Sequence, residues 1–228
     1  MGSLKKKTIN YEPYDEYLYS GLQGFVMRQN HRLLSKGVSP KYNFKILEIG
    51  GGAKMHCSLV NLVGVNEYWV SDLEDVFDKK PIINGENEKF IIKKHVFDKD
   101  QAYTEFLENG HRFSRIIVSH VWEHVDDPED SLLKWFELLD EGGQLDIAIP
   151  CDPGLLWRIG QLLSRRKAIK LYGMTPRELD LDMARQHINP CHNLIRIMRY
   201  YAEPEIKYFP SIIPIIGLNL FVFFRVKT

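Results

Sequence analysis

Residues 114–150 read SRIIVSHVWEHVDDPEDSLLKWFELLDEGGQLDIAIP. The stretch begins inside an apolar run, RFSRIIVSH (112–120), which predicts a strand. Asp126 or Asp127 is a natural N-cap, Pro128 suits a first helical turn, and Gly142-Gly143 predicts the helix end. QLDIAIP (144–150) then reads as another strand. Strand, helix and strand in that order form the unit of a parallel sheet covered by helices.

Upstream the same rhythm repeats. FKILEIG (44–50) is a short apolar run that stops at three glycines, as a buried parallel strand does. A helix is expected through 55–63, strands at NEYWVSD (66–72) and EKFIIKKHVFD (88–98), and a helix at QAYTEFLEN (101–109). A helical pattern also covers 16–36. Downstream, 152–186 is a helical insertion and 190–202 a further helix. EIKYFP (205–210) and NLFVFFRVK (219–227) close the fold, and their short connection favours an antiparallel hairpin. The expected architecture is one α/β domain over 1–228 with a Rossmann-like, mostly parallel sheet of seven strands and helices on both faces. An N-terminal arm (1–15) and a helical lid (152–186) complete it.

Lys plus Arg and Asp plus Glu both number 30, so the net charge is zero and nothing in the balance draws the whole chain to nucleic acid. Cys57, Cys151 and Cys191 make no CxxC pair and no even framework, which points to a reducing, cytoplasmic setting. Lys5-Lys6-Lys7 is followed by polar and Tyr-rich sequence, so no secretory signal is expected. The greasy run 209–224 is broken by Pro210, Pro214 and Gly217, which argues against a membrane span.

Chemistry concentrates at the strand ends. Glu48 precedes Gly50, Gly51 and Gly52, where bare backbone lets a ligand lie close to the following helix. A dinucleotide fingerprint starting at Gly50 requires glycine at 55, where Met55 stands, and no GK[ST] follows for a phosphate loop. Asp72 ends the second strand beside this loop, placed to accept both hydroxyls of a ribose, and Asp98 lies further along the same rim. The alternative for each aspartate is a helix cap or a solvent-facing loop acid.

KILEIGGGAKMH, WVSDLED, the 114–150 stretch and the terminal strand pair together resemble the class I S-adenosylmethionine-dependent methyltransferases. The resemblance implies methyl transfer from S-adenosylmethionine. It implies that Glu48, Gly50, Gly51 and Gly52 flank the methionine moiety. Asp72 would hold the ribose, Asp98 the adenine side, and Ser119-His120 the floor under the sulfonium, with Leu73 also in the cofactor-binding set. The chain departs from the family pattern at Lys54, often a glycine, and at Ser114, often an aspartate.

His120, Glu123 and His124 spell H-x-x-E-H, the motif of an inverted zinc peptidase. That metal hydrolase would need the motif on one helix, whereas here it follows a strand directly. A second metal reading is a metal-assisted O-methyltransferase of the RNA or quinone type, with His187 or His192 completing the ligand set. Neither reading is adopted, and no metal site is assigned. The acid–base reading takes His120, His124 and His187 as candidate bases for a hydroxyl acceptor. His31 and His56 are weaker candidates, since a lone histidine is more often a satisfied core or surface residue.

From Pro153 to Tyr172 there is no acidic residue, while Arg158, Arg165, Arg166, Lys167 and Lys170 fall among leucines and isoleucines. This is either a solvated helix packing its apolar face on the core, or a dock. As a dock it suits a phosphorylated small molecule or glycan acceptor, or a peripheral membrane contact through 154–171.

Overall fold

The apolar runs become one sheet. In chain order its strands are β1 (Lys45–Ile49), β2 (Glu67–Asp72), β3 (Ile91–Val96), β4 (Phe113–Ser119), β5 (Leu139–Pro150), β6 (Glu205–Pro210) and β7 (Asn219–Lys227). Across the sheet the order is β3-β2-β1-β4-β5-β7-β6. Strands β1 to β5 run parallel, and β7 lies antiparallel between β5 and β6. The expected parallel set and antiparallel closing pair are both present. The computed structural model describes residues 17–51, 55–72, 91–96 and 102–228; the arm 1–15, Gly52, Lys54, Leu73 and Asp98 lie outside them.

The helices are α1 (Gly21–Ser35), α2 (His56–Leu59), α3 (Ala102–Glu108), α4 (Pro128–Glu137), α5 (Leu155–Tyr172), α6 (Pro176–Gln186) and α7 (Cys191–Tyr201). They cover both faces because strand side chains alternate. Leu47, Ile49, Ile116, Val118, Ile147 and Val222 face one core, with Leu132 and Trp135 of α4 and Leu194 and Met198 of α7. Ile46, Val70, Ile117, Ala148 and Phe221 face the other, with Leu34 of α1. In the first core Trp122 and Trp135 are both fully buried and meet edge to face at 6.1 Å. Burying side chains of this size contributes at least roughly 2 kcal/mol each.

Two boundaries differ from expectation: the helix expected through 55–63 is only His56–Leu59, and the end of α4 comes early. Helix α4 stops at Glu137 rather than at Gly142-Gly143, and β5 begins at Leu139. Leu139 already pairs with Phe113, and the next register pair is Arg115 with Gln144. Residues between them form an outward bulge, in which Gly142 takes a φ of +69°. Burial of Leu138 and Leu139 under the sheet overrides helix continuation.

The helical insertion is two helices. Gly173 at φ +62° ends α5, and Thr175 with Glu178 forms a capping box that starts α6. Ala168, Met174 and Leu179 give the pair a small core of its own.

A buried polar cluster ties α1 to the sheet. Asp146 accepts Arg115 Nε at 2.6 Å, Gln144 Nε2 at 2.6 Å and Arg225 Nε at 2.7 Å. Both arginines also donate to the Leu34 carbonyl at the end of α1. Ser114 fills the place of the family's aspartate by accepting Lys45 N–H at 2.9 Å and donating to the main chain there.

Candidate active site

A cleft of about 600 Å³ opens beyond the carboxyl ends of β1, β2 and β4. Ligand pockets commonly measure about 300–1,000 Å³. Its position is where the strand order turns from β1 towards β4, the usual crevice of an open parallel sheet. Gly50, Asp72, His120 and His124 line it, together with Val121 and Tyr103.

Two glycines shape its floor. Gly50 has φ +69°, and a Cβ there would stand 2.2 Å from Val121 Cγ2. A Cβ on Gly51 would stand 2.4 Å from Val70 Cγ1. The N–H groups of Gly50 and Gly51 both point to the Ser71 carbonyl, at 2.7 and 3.4 Å. What these glycines offer a ligand is therefore bare backbone surface rather than donors. Glu48 turns beneath the loop. Its carboxylate accepts the His56 N–H at 2.8 Å and the Tyr68 hydroxyl at 2.8 Å. Burial pushes this carboxyl up to about 8, against the opposing pull of the Tyr68 and His56 bonds.

The H-x-x-E-H letters fall on the end of β4 and on a 3₁₀ turn, Trp122–His124, so they do not share a helix face. His120 holds a φ of 58°, a left-handed backbone at a non-glycine residue. Its N–H donates to the Ala148 carbonyl at 2.9 Å. Its Nδ1 lies 3.6 Å from Glu123 Oε1 and its ring meets Phe221 at 5.0 Å. The buried Nε2 has no protein partner. A proton on Nδ1, held towards Glu123, leaves the Nε2 lone pair for an incoming group.

Glu123 is the buried centre of this turn. Burial pushes its carboxyl up, but the close approach of His120 and the charge of His124 outweigh that and hold it below its ordinary value. His124 Nε2 lies 3.6 Å from the same Oε1, and its Nδ1 donates to the Gln186 carbonyl at 2.7 Å. Both nitrogens of His124 are thus directed at acceptors. His187 packs edge-on against His124 at 5.0 Å, stacks on Trp157, and directs Nδ1 to Asp152 Oδ2 at 2.8 Å. Among the described residues no three His, Cys, Asp or Glu side chains are gathered to hold a metal ion.

The fold thus gathers His120, His124 and His187 from two distant parts of the chain. Ser119 sits at the end of β4 and accepts the Asn30 Nδ2 at 2.9 Å. Sequence reading missed Asn30 and the bracing role of Asn189. Asn189 donates from Nδ2 to the Val125 carbonyl at 2.6 Å and from its N–H to the Glu123 carbonyl at 3.1 Å. Nothing local marks such residues, since their partners lie 64 and more positions away. The cleft's own cations are Lys134 and Arg185, with Lys134 paired to Asp130 at 2.7 Å. Arg158, Arg166, Lys167 and Lys170 are not among its lining.

A profile described as a methyltransferase domain matches residues 14–201. The chain belongs to the methyltransferase domain family. The expected methyltransferase is borne out in family and fold. No curated protein matches this methyltransferase in sequence. Solved structures share its fold. The CurJ carbon methyltransferase superposes with a TM-score of 0.60 at 14% identity, over 93% of this chain and 57% of its own. The plantazolicin methyltransferase BpumL, in complex with SAH, gives 0.60 at 12%, over 95% and 89%. An O-methyltransferase family protein from Burkholderia thailandensis gives 0.58 at 10%, over 98% and 65%. This methyltransferase therefore spans little more than half of the CurJ chain and about two thirds of the Burkholderia protein. At these identities the likeness is one of fold, and the methyl targets in the three names differ. No helix among the described residues is long and apolar enough to cross a membrane.

Proposed function

We propose that this methyltransferase methylates an oxygen of a small polar or phosphorylated acceptor, such as a sugar, a nucleotide sugar or a lipid-linked glycan. The observation that carries the reading is His120, a residue of the cleft lining: strained backbone, Nδ1 directed at a buried anionic Glu123, and a buried Nε2 without a protein partner. Strain of this kind is retained where the surroundings hold a residue for use. Bound S-adenosylmethionine supplies a methyl carbon already activated by its sulfonium. The chain's own tasks are alignment and removal of the acceptor proton. His120 takes the proton at Nε2, and Glu123 stabilises the resulting imidazolium. His124 shares Glu123 with His120, and His187, paired to Asp152, packs against His124.

Asp72 is the residue assigned to the ribose hydroxyls, with Gly50 and Gly51 as the bare wall beside them. Gly52, Leu73, Asp98 and Ser119 join the cofactor set by family resemblance. Glu48 serves it indirectly, by holding the loop. Arg185 is the cleft cation available to an acceptor phosphate, since Lys134 is held by Asp130. Helices α5 and α6 act as the lid. Three free, buried cysteines suit a reducing cytoplasm.

The test is thermal shift combined with turnover on a panel of sugars, nucleotide sugars and lipid-linked glycans. S-adenosylhomocysteine should raise Tm and NAD should not. Asp72→Ala should abolish that rise. His120→Ala should keep it while slowing transfer roughly 100-fold or more. Full activity in both His120→Ala and His187→Ala would remove the base from the mechanism.

A further inference from the structure

We propose that the outward face of α5, with the 211–218 loop beside it, seats this enzyme on an anionic lipid bilayer. The proposal goes beyond methyl transfer and holds whatever the acceptor is. Leu155, Ile159, Leu162 and Leu163 occupy one face of α5 by their spacing, and all are exposed, Leu163 by 81%. They are not spare core. The inward side of α5 is already packed, with Ala168 buried against Met174 and Leu179 and Trp157 stacked on His187.

The neighbouring loop adds Ile212 at 94% exposure, with Ile213, Ile215 and Leu218 also exposed. This loop is not a loose excursion. The fully buried Asn219 accepts the Ser211 N–H and donates to the carbonyls of Ile213 and Ile215, all at 2.9 Å. A Cβ added at Gly217 would stand 3.9 Å from Leu155 Cβ, so loop and helix lie side by side as one apolar surface. A rigid backbone that presents isoleucines to solvent is a built surface, since collapse would otherwise hide them.

Charge selects the partner. The exposed face of α5 continues into Arg166 and Lys170, flanked by Arg158 and Lys167, with no acid from 153 to 172. Arg165 is tied to Asp180, whereas Arg158, Arg166 and Lys170 form no ion pair among the described residues. A second copy on this face would bring two acid-free basic helices together and desolvate unpaired cations. A bilayer offers acyl chains to the leucines and phosphates to the basic heads, whose stems reach outward from the same helix. The chain's zero net charge makes the attraction local, so it must be sensitive to salt. Trp157 of the docking helix stacks on His187, which packs against His124 at the edge of the cleft.

The full chain is sedimented with vesicles of phosphatidylcholine alone or mixed with phosphatidylglycerol, at low salt and at about 0.5 M salt. We expect capture by the anionic vesicles only, and loss of most of it at high salt. Each basic residue near an anionic surface changes partition roughly fivefold, so Arg166→Glu with Lys170→Glu should weaken binding about 30-fold or more. Leu163→Asp with Ile212→Asp should abolish it at any charge state. Both variants should keep the S-adenosylhomocysteine thermal shift; if one misfolds, the lipid and salt dependence of the unsubstituted chain decides. No capture by anionic vesicles, or equal capture by neutral ones, overturns the proposal. So does a self-association of the unsubstituted chain that these variants remove without any vesicle binding.

Discussion

Asp146→Asn removes the one negative charge from a cluster buried in the core. Asp146 is 1% exposed and Arg115 0%, and the carboxylate accepts from Arg115, Gln144 and Arg225. Asparagine keeps the shape but turns an NH₂ towards an arginine Nε–H, donor against donor. It also strands the Arg115 guanidinium as a buried, uncompensated cation. Breaking a buried pair in this way costs about 3–5 kcal/mol. For a chain of this size that corresponds to a fall in Tm of about 6–20 °C. Arg115→Met should cost less, about 1–3 kcal/mol, because Arg225 and Gln144 continue to satisfy Asp146. The double variant should cost less than the sum of the two, since the stranded charge has gone. Urea unfolding followed by circular dichroism gives all three values. If Asp146→Asn stays within about 1 kcal/mol of the parent, the cluster does not hold α1 to the sheet as argued.

Other outcomes follow from the same geometry. His31 and His56 are buried against each other with Nδ1 atoms 3.0 Å apart; burial, then the His120 charge, lowers His31 to about 3, and burial, then His31 and Arg115, lowers His56 well below 6.5. Their folded-state values lie below the unfolded one, so their stability is complete above about pH 6.5 and is lost as pH falls, His31 alone costing about 2 kcal/mol at pH 5. Glu48 acts with the opposite sign: raised to about 8, it contributes stability below pH 4.5 that is lost as pH rises through 8. Tm should therefore peak near pH 6.5, and a flat profile from pH 5 to 6.5 would show that the imidazoles are not held neutral. Gly50→Ala should lose about 1–3 kcal/mol and the S-adenosylhomocysteine shift; adding Val121→Ala should relieve the clash but not the strain at φ +69°. Glu123→Gln should slow methyl transfer and alter the acid limb of its pH–rate profile while leaving cofactor binding intact, and an unchanged profile would detach Glu123 from His120.

The sheet was legible because its signals are local. KILEI and RIIVS are short, apolar and bounded by glycine or by caps, and both are strands. Asp127 takes the N-cap that its position before Pro128 announces, accepting from the N–H groups of Glu129 and Asp130. The start of β5 was not legible, because LLDEGG satisfies a helix end as well as a strand bulge and only the pairing of Leu139 with Phe113 decides. Nor does any spacing reveal that Arg115 meets Asp146 in the core, or that Glu48 turns under the loop. His31 and His56, weak candidates for chemistry, prove to be satisfied core histidines. The apolar residues of α5 admit two readings, and the small core under Ala168 explains why they face outward instead of packing inward.

The interleaved seat of β7 has a consequence for biosynthesis. A chain leaving the ribosome presents β6 before the strand that separates it from β5 exists. Until residues 219–227 clear the exit tunnel, β5 carries a bare edge, β6 has nowhere to dock, and Asp146 waits for Arg225. Arrested nascent chains that stop short of β7 should accordingly remain sensitive to protease across the whole parallel half, and the 228-residue chain held clear of the tunnel by an added C-terminal linker should not.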